Sequence, residues 1–143
     1  MRSAILAAAL VLPAGCISVT ETTTRPPVLA AARCTVGQPM VETMLFLGMA
    51  RPGGEVSETE FAHFIEAEVT PRWKEGYTIL EGRGLWYSEQ RRITESEASR
   101  VLVRFHDGGQ AASSDIEAIR AAYIRDFTQD AVLRTDRPTC ADF

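Results

Sequence analysis

The residues able to do chemistry are few and far apart. His63 and His106 are the only histidines, and Cys16, Cys34 and Cys140 the only cysteines. No Cys-x-x-Cys occurs, and neither histidine stands at ligand spacing from a cysteine, so the sequence offers no metal set. His106 precedes Asp107, but neighbours on a strand point to opposite faces, which makes a poor catalytic dyad. Ser99 follows Glu95 and Glu97. Without a positioned histidine such a serine is weak evidence for a nucleophile. No catalytic set and no cofactor are expected, and a non-enzymatic role is favoured.

Two glycine-bearing segments invite a phosphate reading and do not sustain it. Arg51 to Ser57 leads into a helix N-terminus, a geometry that can take an anion. Ser57 caps the same donors, and Glu55, Glu58 and Glu60 repel negative charge. Gly82-Arg83-Gly84 lacks a third glycine and opens no helix. It reads as a bulge or bend in a strand. Binding is better served by Trp86, Arg104 and His106, the candidate ligand face. An indole with two basic side chains suits an acidic or aromatic ligand. The competing reading is a partly buried sheet face closed by a second subunit or by the chain termini.

Six elements must position these residues. A strand over about Val41 to Met49 is apolar on both faces, as a central strand is. Its pattern permits either register. Ser57 and Glu60 form a capping box, with Val56 and Phe61 at the staple positions. Phe61, Phe64, Ile65 and Val69 then make a helical stripe that leaves His63 in solvent. Pro71 stops this helix, and Trp73 packs on the core as a lid. Strands follow at Tyr77 to Glu81, at Leu85 to Tyr87, and from Ile93 through Ser99 to His106. Ser114 and Glu117 read as a second capping box, ahead of the stripe Ile116, Ile119, Tyr123 and Phe127. A last strand covers Ala131 to Thr135. The fold class is α+β: a ferredoxin-like β-α-β-β-α-β, with a four-stranded antiparallel sheet and two helices on one face.

Ahead of this domain lies an address. Arg2 precedes nine apolar residues, Ala4 to Leu12, and Pro13-Ala14-Gly15-Cys16 follows. That is a signal peptide, too short at about 14 Å to cross a bilayer core of about 30 Å. The exit resembles a bacterial lipobox, with Pro13 where that pattern has Leu. Residues 1–15 are then the signal peptide, and Cys16 becomes the lipidated first residue. Residues 16–33, rich in Thr and Pro, are a flexible tether, and 34–143 a single α+β domain. The alternative is an ordinary signal peptide cleaved elsewhere. Its best site, after Ala32, stands too far beyond the apolar run. Losing Arg2 leaves 14 basic against 19 acidic residues, a net charge of −5, so acyl chains and not charge would hold the membrane. Ile17 implies, by resemblance to lipoproteins of two-membrane bacteria, the outer membrane (its periplasmic side or the cell surface). Export makes a disulfide the expectation for Cys34 and Cys140, which bracket nearly the whole domain.

Several short patterns together resemble one family. They are Phe46-x-Gly48, Val56-Ser57, Thr70-Pro71-Arg72-Trp73, Gly82-x-Gly84-x-Trp86 and Glu97-x-Ser99. In this order they look like the bacterial "domain of unknown function 3574" family, over roughly Cys34 to Phe143. The resemblance implies an exported protein, often a lipoprotein, and carries over no catalytic residue.

The remaining arithmetic excludes whole classes. With 143 residues, 45% hydrophobic and 24% charged, the chain is neither disordered nor collagen-like, and its net charge of −4 excludes a nucleic-acid coat. The expected protein is an envelope lipoprotein presenting a binding or structural module on a membrane tether. The alternative is a small-ligand binder or enzyme of the dimeric α+β-barrel type. Expected partners are the membrane, through lipid, and a second copy through the open sheet face.

Overall fold

A computed structural model describes residues 33–143. The expected signal peptide, Cys16 and the tether as far as residue 32 lie outside the described residues. Four strands, β1 (Gln38–Gly48), β2 (Thr78–Ser88), β3 (Ile93–His106) and β4 (Leu133–Ala141), form one sheet in the order β2-β3-β1-β4. Every pairing is antiparallel. Helices α1 (Glu58–Phe64) and α2 (Gln110–Phe127) complete the ferredoxin-like β-α-β-β-α-β. β1 is central, as its two apolar faces require. Leu45 and Leu47 on one face are fully buried against the helices. Ala50–Arg51 and Gly54–Glu55 add a short ribbon between β1 and α1.

The first helix starts where the sequence places it. Ser57 Oγ accepts the Glu60 N–H at 3.3 Å, and Glu60 returns the bond to the Ser57 N–H at 2.9 Å. Arg51 clamps the same carboxylate at 2.8 Å. The bonds from Ser57, with Arg51 adding to them, hold the Glu60 pKa down at about 2. Beyond Phe64 the helix widens into a π-turn over Ile65–Val69, closed by the Thr70 N–H on Ile65 O at 2.9 Å. Pro71 follows, and Trp73 is buried beneath.

Three expectations are corrected. α2 begins at Gln110 with Gly109 as N-cap, so Ser114 lies inside the helix and caps nothing. The cause is upstream: Asp107 takes the Gly109 N–H at 2.8 Å and Gly108 turns at φ +76°, which starts the helix early. Gly82-Arg83-Gly84 forms no bulge. The register of β2 on β3 runs unbroken from Thr78↔Val103 to Ser88↔Ile93. β4 begins at Leu133 and extends to Ala141, past Pro138. It is an edge strand, where a missing N–H is tolerated.

The core joins Leu45, Leu47 and Leu102 of the sheet to Phe61 and Phe64 of α1 and to Ile116, Ile119 and Tyr123 of α2. Phe64 meets the Tyr123 ring edge-on at 5.1 Å, and the Tyr123 hydroxyl donates to Gly48 O at 2.8 Å. At the far end of the sheet, Cys34 and Cys140 are disulfide-bonded with Cα atoms 5.6 Å apart. Gly37, at φ +73°, lets the chain press against Ala141, whose carbonyl would stand 2.4 Å from any added Cβ. The bond fastens the segment before β1 to edge strand β4 and closes nearly the whole domain into one loop. In the Cys34→Ala/Cys140→Ala variant the unfolding free energy is expected to fall by roughly 2–5 kcal/mol. Urea titration followed by far-UV circular dichroism measures it.

Candidate functional site

Side chains of the sheet alternate between two environments. Thr43, Leu45 and Leu47 of β1 lie beside Arg104, Leu102 and Arg100 of β3, beneath the helices. Met44 and Phe46 lie beside Val103 and Val101 on the opposite face. β2 adds Leu80, Gly82, Gly84 and Trp86 to that second face. Among the described residues no helix covers it, and Leu80, Trp86, Phe105 and Leu133 are exposed there.

The candidate ligand residues are therefore divided. Trp86 is on the bare face. Arg104 and His106 are on the helix-covered one, 7% and 5% exposed. The alternation in β1 was open to either register. Polar partners under the helices for Thr43, Arg104 and His106 decide it.

His106 is fully engaged. The Gly108 N–H donates to Nδ1 at 3.0 Å, so the ring proton sits on Nε2. Nε2 donates to Thr43 Oγ1 at 2.8 Å, and the Thr43 hydroxyl donates to Asp136. Arg134 holds Asp136 at 3.0 Å and reaches α2 through Glu117 at 2.8 Å. This chain crosses β3, β1 and β4 before it meets α2. Burial, then the charge of Arg104, pushes the His106 pKa below 6.5, against the pull of Asp136. For Asp136, burial pushes the carboxyl up, but the bonds from Thr43 and Arg134 and the nearby charges outweigh it and hold it low. With both ring nitrogens committed, His106 is a structural residue. Ser99 has no histidine on its face, and Glu97 instead accepts the Ala50 N–H at 3.1 Å. A Cβ on Gly48 would stand 2.9 Å from that carboxylate, so glycine there makes its room. His63 is exposed on α1, away from both faces.

Arg104 is not fully engaged. Its guanidinium stacks on Trp73 at 5.5 Å and donates through Nη2 to Glu75 at 3.0 Å. Among the described residues, Arg104 Nε and Nη1 are buried without a partner, as is Trp73 Nε1. Pairing of β2 ends at Thr78, while β3 continues along β1 to His106. Beside that unpaired stretch opens a groove of about 920 Å³, lined by Arg104, Tyr77, Phe105, Ala111, Asp115 and Phe143 among others. Sequence reasoning named Arg104 but missed Glu75, Tyr77 and the start of α2. Nothing in the linear pattern brings the loop after α1 to the end of β3.

Fold and site define a class: a two-layer ferredoxin-like domain with a bare sheet face and an edge groove, and no assembled catalytic set among the described residues. The family described as "Protein of unknown function (DUF3574)" matches residues 42–143, and the chain belongs to it. Residues that carry its resemblance, Gly48, Gly82, Gly84, Trp86, Glu97 and Ser99, meet on the bare face. No curated protein matches the sequence. Among solved structures, a phage SAM lyase in complex with S-methyl-5'-thioadenosine is similar at a TM-score of 0.53 and 12% identity, over 78% of this chain and 97% of that one. Its apo state gives the same score over 79% and 98%. A Bacillus cereus protein related to NIF3 has a TM-score of 0.43 and 15% identity, over 78% of this chain and 28% of that one. The SAM lyase likeness is one of fold.

The lowered His106 pKa has a signed consequence. Between the folded value and 6.5 the unfolded chain binds the proton more readily. The stability gained from neutral His106 is full above about pH 6.5 and is lost as pH falls through the folded value. The urea midpoint is expected to drop between about pH 7.5 and about pH 5, and His106→Gln to flatten that slope. Paired denaturation curves check it.

Proposed function

We propose that the chain is an exported bacterial protein, held at the envelope by lipid on Cys16, whose domain is a non-catalytic assembly module. The observation that carries this reading is the sheet face that no helix covers among the described residues, with Leu80, Trp86, Phe105 and Leu133 exposed on it. Soluble monomers rarely expose a contiguous apolar patch larger than a few hundred Å². Four strands about 4.8 Å apart, with eleven residues in β1, present a face of roughly 700 Å² in all, its apolar side chains interspersed with the Glu42–Arg137 pair, Glu95 and Glu97. A standard interface buries about 800 Å² on each partner. The Cys34–Cys140 bond supports export, since such bonds persist in oxidising compartments.

The occupant we favour is a second copy. Along β2 the bare face shows Leu80 and Trp86 standing on either side of Gly82 and Gly84. A Cβ on Gly84 would meet Glu97 at 3.6 Å and more, and one on Gly82 Ser99 at 3.8 Å and more, ordinary contact distances. The fold itself thus has room for side chains at both positions. Glycine inside a strand costs about 0.5–1 kcal/mol and marks a bulge or a close approach. The register excludes a bulge. A two-fold axis would seat the ridge of one copy in the notch of the other. Lipid tethers confine both copies to one plane, which favours weak pairing.

Two experiments test the reading. Intact mass of protein extracted from membranes is expected to show an acylated chain starting at Cys16, and Cys16→Ala to lose both acyl mass and membrane retention. An unacylated mature chain in the wild type would remove the anchor. Light scattering at tens of micromolar is expected to give a dimer, and Gly82→Val/Gly84→Val a folded monomer. A monomeric wild type would remove the assembly role.

A further inference from the structure

We propose that the groove beside Arg104 binds a small monocarboxylate with an apolar body, and that the Glu75 carboxylate holds the place of that ligand in the unliganded protein. The Arg104 guanidinium of this groove lies on the helix-covered side of the sheet, and Phe105 of the bare face reaches its rim; ligand binding and oligomeric state are read separately, so either reading can fail without the other.

Unmet hydrogen-bonding capacity is the starting point. A guanidinium has five N–H donors and no acceptor. Buried polar groups ordinarily find partners, and each exception calls for a reason. Here the orphaned buried side-chain atoms among the described residues are Arg104 Nε, Arg104 Nη1 and Trp73 Nε1. All three are donors, and they belong to one stacked pair. A cluster made only of donors calls for acceptor oxygens.

A second observation points the same way. α2 is 18 residues long and has no side-chain cap on its first turn. Ala111 and Ala112 of that turn line the groove together with Arg104. The helix therefore turns uncapped N–H groups and a positive dipole end towards the same space.

Glu75 explains why the cluster is stable without a ligand. Its carboxylate accepts one bond from Arg104 Nη2 at 3.0 Å, while its side chain is 74% exposed and that of Arg104 only 9%. An exposed carboxylate loses little when it returns to water. It sits in the loop Lys74-Glu75-Gly76, which is exposed throughout. A ligand carboxylate can displace it and take the donors it leaves unfilled.

The surroundings restrict what the ligand is. Asp107 and Asp115 also line the groove, and Arg72 is already paired to Glu68 at 2.9 Å. One cation, held only by the exposed Glu75 carboxylate, amid acids favours a single negative charge and disfavours a phosphate dianion. Met40, Tyr77, Phe105 and Phe143 supply apolar wall. The volume falls in the range of small-molecule sites.

The test uses the full-length, disulfide-bonded protein, with hexanoate and benzoate as probes and inorganic phosphate and hexylammonium as controls. Calorimetry is expected to show one carboxylate bound per chain, with phosphate and hexylammonium at least tenfold weaker. Glu75→Gln removes the internal competitor without touching the core. It is expected to tighten carboxylate binding by roughly three- to tenfold. Arg104→Met is expected to weaken it by roughly tenfold or more. The Trp73 indole N–H resonance, which does not depend on any variant folding, is expected to move on titration with hexanoate. No binding by wild type, phosphate binding as tight as hexanoate, or unchanged affinity in Glu75→Gln would each overturn the proposal. So would saturation that leaves the Trp73 signal in place.

Discussion

Two helices can cover only one face of a four-stranded sheet, and most features of this domain follow from that constraint. β1 is apolar on both sides, so it must sit in the middle. The helices then bury Leu45 and Leu47 and leave Met44 and Phe46 to whatever lies on the other side. The helix-covered face is not purely apolar either. Thr43, His106, Asp136 and Arg134 run across it as one bonded chain that ends on α2. Such a chain is tolerated inside because each member has a partner; a half-satisfied one would cost more than an apolar replacement. It also fixes register. A slip of one residue in β1 would send Thr43 to the bare face and strand His106 without an acceptor.

The edges of the sheet are managed differently at its two sides. β4 carries Pro138 and is held by the disulfide to the segment that precedes β1. β2 has no such fastening. It stops at Thr78, three residues before β3 does, and the uncovered stretch of β3 becomes the wall of the groove. The π-turn after α1 leads into the loop that closes this wall. Its wider coil keeps Val69 in the core and carries the chain on to Trp73, whose ring meets Arg104. Packing of the first helix and construction of the groove are thus one event.

The order of elements was legible because each is written in local chemistry. Capping by Ser57 and Glu60, the stripes of α1 and α2, and the doubly apolar β1 all act within a few residues. The start of α2 was not legible, because it depends on a choice between two caps. Ser114 offered a side-chain cap, but Asp107 and Gly108 turned the chain first. The unbroken β2 was hidden for a related reason. A pair of glycines in a strand reads as a bulge, and only the partner's register excludes one. The ligand face failed at a larger scale. Trp86, Arg104 and His106 have compatible chemistry, yet strand parity puts the indole on one side of the sheet and the two basic residues on the other. Parity relative to the helices is a tertiary fact, set by where α1 and α2 pack.

Sequences fold well when every local choice agrees with the whole, and departures from that agreement are where function is sought. Most local oddities here have an internal reason. Gly37 admits Ala141, Gly48 admits Glu97, and the buried His106 is bonded at both nitrogens. Two oddities have none. Gly82 and Gly84 weaken a strand that has room for side chains. Arg104 and Trp73 bury donors that nothing among the described residues accepts. These lie on opposite faces of the sheet and differ in chemistry, one a missing volume and the other a missing acceptor. A missing volume is filled by shape, which a second protein surface supplies. A missing acceptor is filled by charge and oxygen, which a small anion supplies. On the two readings proposed above, the same domain would hold a partner on its bare face and a ligand at its edge. β3 borders both, with Val101 on the bare face and Arg104 in the groove.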